Sequence, residues 1–229
     1  EVYKRLYVKD KQKLVDFISV SDGIGALAVL RGHMFEEHVH SVLPQGGTFR
    51  IRRLVDNGEA HDDDEYLTEG DWDEGEGDDD AMDADDVVME DSTAATRDLG
   101  DGVISIQLSE RPTVVFNNDN EVIAADTTIY LRPAAKNYKS VDAIIKPDVL
   151  FQVTGAHRHP CKQADLHDVL KLLGNPAAPR LYFVLPPDRF TDFRYQRYLD
   201  SNRKRMTVPS YVNVRKIQQF AMEVKLVLE

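Results

Sequence analysis

Two apolar stretches with a helical pattern between them constrain the fold more than any other feature of the chain. "RLYFVLPP" (residues 180–187) carries no charge from Leu181 to Leu185 and no polar/apolar alternation. A strand with one wet face alternates; a run that is apolar on both faces reads as a central strand covered on both sides. "DVLFQVT" (148–154) reads as another strand. Between them "DLHDVLKLLG" (165–174) has a helical period, with Asp165 as its N-cap and Gly174 as its stop. Strand, helix, strand in that order predicts a crossover that makes "RLYFVLPP" parallel to a neighbour.

The rest of the chain supplies more strands and one further long helix. "ALAVLRGHMFEEHVHSVL" (26–43) spaces Leu27, Val29, Leu30, Met34, Phe35, Val39, Val42 and Leu43 as suits one face of an amphipathic helix, weakened in the middle by Gly32 and ended by "PQGG" (44–47). "TFRIRRL", "VISIQL", "TVVF", "TTIYLRP" and "SVDAII" read as strands, and "NNDN" (117–120) as a turn. "FRYQRYLDSNRKR" (193–205) reads as a basic, aromatic helix, and "YVNVRKIQQFAMEVKLVL" as a strand followed by a strand or helix. The expectation is an α/β (α+β) fold: one mixed sheet flanked by helices, forming a single domain over 1–229.

Charge divides the chain unevenly. The whole carries 40 acidic and 28 basic residues, a net of −12. Glu59–Asp91 holds eighteen Asp and Glu and no Lys or Arg, so the remainder has 22 acidic against 28 basic residues, a net of +6. A segment so acidic and so poor in apolar residues is expected to be a disordered insert, spanning 59–98. It serves either as a solvated loop or as a nucleic-acid mimic that screens the basic body. It lacks the spacing of an EF-hand.

Several classes drop out. The lone cysteine, Cys161, excludes an internal disulfide framework and a cysteine-rich zinc site, and fits a reducing compartment. His157, His159 and Cys161 crowd one loop without a second pair of ligands, so "HRHP" reads as cleft lining or as a cap for the next helix. No run reaches the ~18 apolar residues of a membrane span. Glu1 in place of a start methionine suggests a piece of a longer chain. The basic aromatic stretch nominates Arg194, Tyr195, Arg197, Arg203, Lys204 and Arg205 as nucleic-acid contacts, because Arg and Lys neutralise phosphate while aromatic rings stack on bases. Its alternative is a surface helix with its aromatics in the core.

Asp142 is the residue that most needs an explanation. It stands in "SVDAII" among Val141, Ala143, Ile144 and Ile145, where a carboxylate requires a partner or a metal. Gln152 and Thr154 share a face of the following strand because the side-chain period is two; hydrogen bonding at a strand end is the plain alternative for both.

Taken in order, "GHMFEEHVHSVLPQGGTFRIRRL", "NYKSVDAII", "VLFQVTGAHRHP" and "LYFVLPP" followed by Gln196 and Tyr198 resemble the C-terminal nuclease-like domain of Crinkler and retrotransposon-hot-spot (RHS) effector proteins, over roughly residues 30–220. That domain is of the restriction-endonuclease-like superfamily, whose motif is PD-(D/E)xK. The resemblance implies a magnesium- or manganese-dependent endodeoxyribonuclease, with Glu36 matching the helix glutamate, Asp142 the strand aspartate and Gln152 the second acidic position. These three would hold the metal. Composition alone does not separate Glu36 from Glu37. Thr154 occupies the place of the lysine, which leaves Lys139, Lys162 and Lys171 as candidates for a migrated cation, Lys162 being nearest in the chain. The resemblance also implies DNA rather than RNA as partner, a P-loop ATPase domain upstream, no membrane association, and an intracellular, nuclear site of action, including delivery into a host as an effector. The missing lysine keeps a second class open: a catalytically inactive module that binds nucleic acid or protein on the same fold.

Overall fold

The computed structural model describes residues 13, 16, 28–56, 97–98, 102–136 and 138–226. Helix α1 (Ala28–Val42) runs through a 3-10 turn (Leu43–Gln45) into strand β1 (Gly47–Arg53). Next come β2 (Arg97–Asp98), β3 (Val103–Leu108), β4 (Thr113–Phe116), α2 (Asp119–Ala124), β5 (Tyr130–Pro133), β6 (Ala143–Ile145) and β7 (Val149–Val153). Helix α3 (Gln163–Leu172), β8 (Arg180–Leu185), α4 (Pro187–Phe190), α5 (Val212–Arg215) and β9 (Gln218–Glu223) complete the order. Among the described residues the strands form one nine-stranded mixed sheet, β2-β3-β1-β9-β8-β7-β6-β5-β4. The expected mixed α/β architecture is therefore present. Arg97–Asp98, the end of the expected insert, pairs with β3; residues 59–96 lie outside the described residues.

Period-two alternation builds two cores. Phe151, Val153, Tyr182, Val184, Phe220 and Met222 face α1 and pack with Met34, Phe35, Val39 and Leu43. Leu150, Leu181, Phe183, Leu185 and Ala221 face the other way, onto Leu166, Val169 and Leu170 of α3. β8 is parallel to both β7 and β9, and every residue from Leu181 to Leu185 is buried, as the apolar run requires.

Several local expectations are corrected. Asp142 precedes β6 rather than standing inside it, since pairing starts at Ala143. Asp165 lies in the first turn of α3, whose N-cap is Lys162; its carboxylate instead accepts from Ser140 Oγ at 2.8 Å. "NNDN" is a helix start: Asn118 caps α2 by accepting from the Glu121 N–H, and the Glu121 carboxylate accepts from the Asn117 N–H. Residues 193–205 are not helical. Their backbone is held by distant partners: the Leu199 N–H donates to Cys161 O, Gln163 N–H donates to Leu199 O, and Met206 N–H donates to Tyr198 O. Phe193 and Tyr198 are buried in the core beneath α3. The last segment is a short helix where a strand was expected, followed by a strand, one of the two expected alternatives.

Candidate functional site

The loop from Tyr138 to Asp142 carries Asp142 to the point where β6 and β7 begin to pair. Its N–H donates to Phe151 O at 2.8 Å, which fixes the backbone. Its Oδ2 accepts from the Val153 N–H at 2.6 Å and from Gln152 Nε2 at 2.8 Å. Among the described residues no donor engages Oδ1. Gln152 is 6% exposed, and its Oε1 is buried without a hydrogen-bond partner. An unpaired buried carbonyl oxygen costs about 1–3 kcal/mol. Thr154 is also buried; its N–H donates to Val184 O, and its Oγ1 accepts from the Ala156 N–H at 3.1 Å, a local turn.

Helix α1 brings in the second carboxylate. Positions 36 and 40 lie one turn apart on one face. Glu36 Oε1 is 3.8 Å from His40 Nε2 and 3.8 Å from Arg132 Nη2, and its Oε2 is 3.9 Å from His33 Nδ1. Glu37 instead grips the Arg132 guanidinium at 2.7 Å. This separates the two glutamates that composition left equal. Tyr130 and Arg132 are alternate residues of β5; the Tyr130 hydroxyl is 2.9 Å from His40 Nδ1.

The electrostatics set the carboxylates apart. Loss of water around Asp142, and then the charge of Glu36, push its carboxyl up to about 7 against the Val153 N–H and Arg132. The residue as a whole keeps part of its surface exposed, so the group remains accessible to solvent protons. Desolvation also acts to raise Glu36, but His40, Arg132 and His33 outweigh it and hold it below the usual carboxylate range. At 3.8 Å the Glu36–His40 contact is electrostatic rather than a hydrogen bond, in keeping with the unpartnered Nε2. Burial lowers the proton affinity of His40 and raises that of Tyr130.

Asp142 and Gln152 are therefore in direct contact, and Glu36 is coupled to Asp142 through its charge. Lys139 pairs with Asp119 at 2.6 Å, and Lys162 and Lys171 are exposed on α3 and its N-cap. The cation at the carboxylates is Arg132, which sequence reading passed over as a strand residue. Its signal was the Tyr-Leu-Arg spacing, which puts Tyr130 and Arg132 on one face of a buried strand. Of the expected nucleic-acid contacts, Arg194, Tyr195, Arg197 and Arg205 line one cavity, together with His157 and Pro160 of "HRHP". Arg203 and Lys204 are exposed on the turn that follows.

Magnesium takes hard oxygen ligands, usually one or two carboxylates plus waters. Asp142 Oδ1 and the unpaired Gln152 Oε1 fit that donor set, and the Glu36 charge acts on Asp142 from α1. Among the described residues no group of three or more His, Cys, Asp and Glu gathers as a metal site, so such an ion would keep much of its water. No helix among the described residues is long and apolar enough to cross a membrane.

No family model and no solved structure matches the chain. It is 28% identical over 184 residues to Crinkler effector protein 16 of Phytophthora infestans, and equally to Crinkler effector protein 15 of the same organism. Each match covers 80% of this chain and 23% of the relative, so the chain spans about a quarter of the length of the curated relatives it matches. Over most of its length, the chain is Crinkler-like in sequence.

Proposed function

We propose that this chain is an effector module that engages DNA and hydrolyses its phosphodiester bonds with a magnesium or manganese ion, on a degenerate restriction-endonuclease-like site. One observation carries the reading: the buried, unpaired Oε1 of Gln152 beside an aspartate whose other oxygen is pinned by two donors. When bound, such an ion neutralises developing charge on the phosphate and acidifies a water. Asp142 and Gln152 would offer it oxygens, and Glu36 would act from α1. Arg132 would take the electrostatic part otherwise assigned to lysine.

The second reading, an inactive binding module, is favoured by one contact: Arg132 is already gripped by Glu37. Titration with Mn²⁺, followed by calorimetry and by plasmid nicking, separates the two. The nuclease reading expects Mn²⁺ binding that strengthens as pH rises through about 7 and is lost in Asp142→Asn, together with nicking. DNA binding without Mn²⁺ binding or nicking would leave the inactive module. Action inside a host cell and an upstream ATPase domain belong to the same proposal and are tested on the full-length protein.

A further inference from the structure

Beyond the carboxylates, on the same side of the sheet as Gln152, lies a cavity of about 340 Å³ lined by Arg52, Arg53, Arg158, Arg194, Arg197 and Arg205. Two acids, Asp56 and Asp192, share the lining, so its formal charge is 6 − 2 = +4. Its place in the fold follows from register. Gln152 pairs with Phe183, Phe183 with Ala221, and Ala221 with Arg52, so these four form one cross-strand row with side chains on a common face. At the usual strand spacing the row puts Arg52 about 14 Å from Gln152.

The cavity is built in place. Gln196 and Gln219 exchange two hydrogen bonds, Gln196 N–H to Gln219 Oε1 at 2.9 Å and Gln219 Nε2 to Gln196 O at 2.8 Å. The His159 N–H donates to Gln196 Oε1 at 2.8 Å. These bonds tie the Arg194–Arg197 segment to β9 and to the loop that leaves the Gln152 strand. Arg52 is held by three carbonyls, Phe190, Thr191 and Phe193, at 3.0, 3.1 and 2.7 Å, while its buried Nε has no partner. Desolvation and then the charge of Arg194 lower the proton affinity of Arg52. Arg197 is paired with Asp56 at 3.1 Å. Cations assembled against their own repulsion gain most from a multivalent oxyanion, and guanidinium forks match phosphate in geometry. The volume is in the range of small-ligand sites rather than of a flat backbone track.

We propose that this cavity is a phosphate subsite, which receives the phosphate of a nucleotide on the same strand that presents a phosphodiester to Asp142. The proposal rests on the nucleic-acid reading above and names where the strand is held. Arg53 and Arg194 are exposed, so Arg53→Ala with Arg194→Ala is the variant of choice. Affinity for a short single-stranded oligodeoxynucleotide is measured in EDTA at several salt concentrations, with pyrophosphate and polyglutamate as competitors. The double variant is expected to bind about tenfold or more weakly at low salt, as expected for lost charged hydrogen bonds. Its salt slope should fall by about 0.7 per phosphate contact removed. An unchanged melting temperature confirms that the fold is intact. Competition by pyrophosphate identifies a free or terminal phosphate as ligand; resistance to pyrophosphate with loss of strand binding identifies an internal phosphodiester; both support the subsite. Unchanged affinity and slope overturn it, as does polyglutamate binding that matches the oligonucleotide and falls equally in the variant. The metal reading and the subsite fail separately: the first by absent Mn²⁺ binding, the second by unaltered strand binding in the arginine variant.

Discussion

At the scale of residues, Asp142 is held against its own ionisation. Its folded value of about 7 stands above the ordinary 3.8. A carboxyl that binds its proton more tightly when folded contributes stability that is fully present below about pH 4 and is lost as pH rises to about 7. Asp142→Asn removes this dependence. The variant is expected to be more stable than the parent at pH 8, by roughly 1–3 kcal/mol, and no more stable at pH 4. Urea unfolding at both pH values checks it; a variant weaker at both would mean that Asp142 serves the fold. Arg132 works in the opposite direction, holding Asp142 down. Arg132→Gln should move the pH midpoint of that stability change upward, and lower any nicking by about 10²–10³, the usual effect of removing one stabilising donor. An unmoved midpoint would separate Arg132 from the site.

Elements are decided by backbone requirements as much as by apolar pattern. Gly32 sits inside α1, and a Cβ there would meet nothing within 4 Å. Gly32→Ala should stabilise by about 0.5–1 kcal/mol, through helix propensity alone. Gly46 is the opposite case: its φ is +74° and a Cβ would approach Leu108 O to 2.6 Å. Gly46→Ala should destabilise by about 1–3 kcal/mol. Thermal melts of the two variants should shift in opposite directions, and a shared direction would contradict the geometry. These elements were legible where the pattern was self-sufficient, as in "RLYFVLPP" and α1. The 193–205 segment was not. The helix expected there from a basic, aromatic composition lost to long-range bonds from Cys161, Gln163 and Gln219, which satisfy its backbone outside a helix.

For the whole molecule, the charge division is the dominant feature. Glu59–Asp91 carries −18 and the remainder +6. The acidic run begins shortly after Asp56, a residue of the arginine-lined cavity. A tethered polyanion reaches an effective concentration in the millimolar range at a nearby site, and competes with phosphate for the same guanidinium groups. Replacing 59–91 with a short Gly/Ser linker should tighten oligonucleotide binding and steepen its fall with salt. Identical affinities and slopes for the two proteins would make the acidic run a spacer.

The chain by itself determined what depends on local order. Alternation and continuous apolar runs set the mixed sheet, and period two put Gln152 and Thr154 on one face. The odd carboxylate among Val141, Ala143 and Ile144 marked Asp142. Tertiary structure decided what depends on distance across the fold. It distinguished Glu37 from Glu36, because packing of α1 against β5 brings Glu37 to 2.7 Å from Arg132 and leaves Glu36 at 3.8 Å. It raised Asp142 above its ordinary range, because desolvation and a neighbouring charge are properties of a packed site. It also gathered Arg52 and Arg53 with Arg158 and Arg194, more than a hundred residues apart in the chain, into one cavity, because sheet register brings β1 beside β9 while sequence spacing carries no record of that pairing.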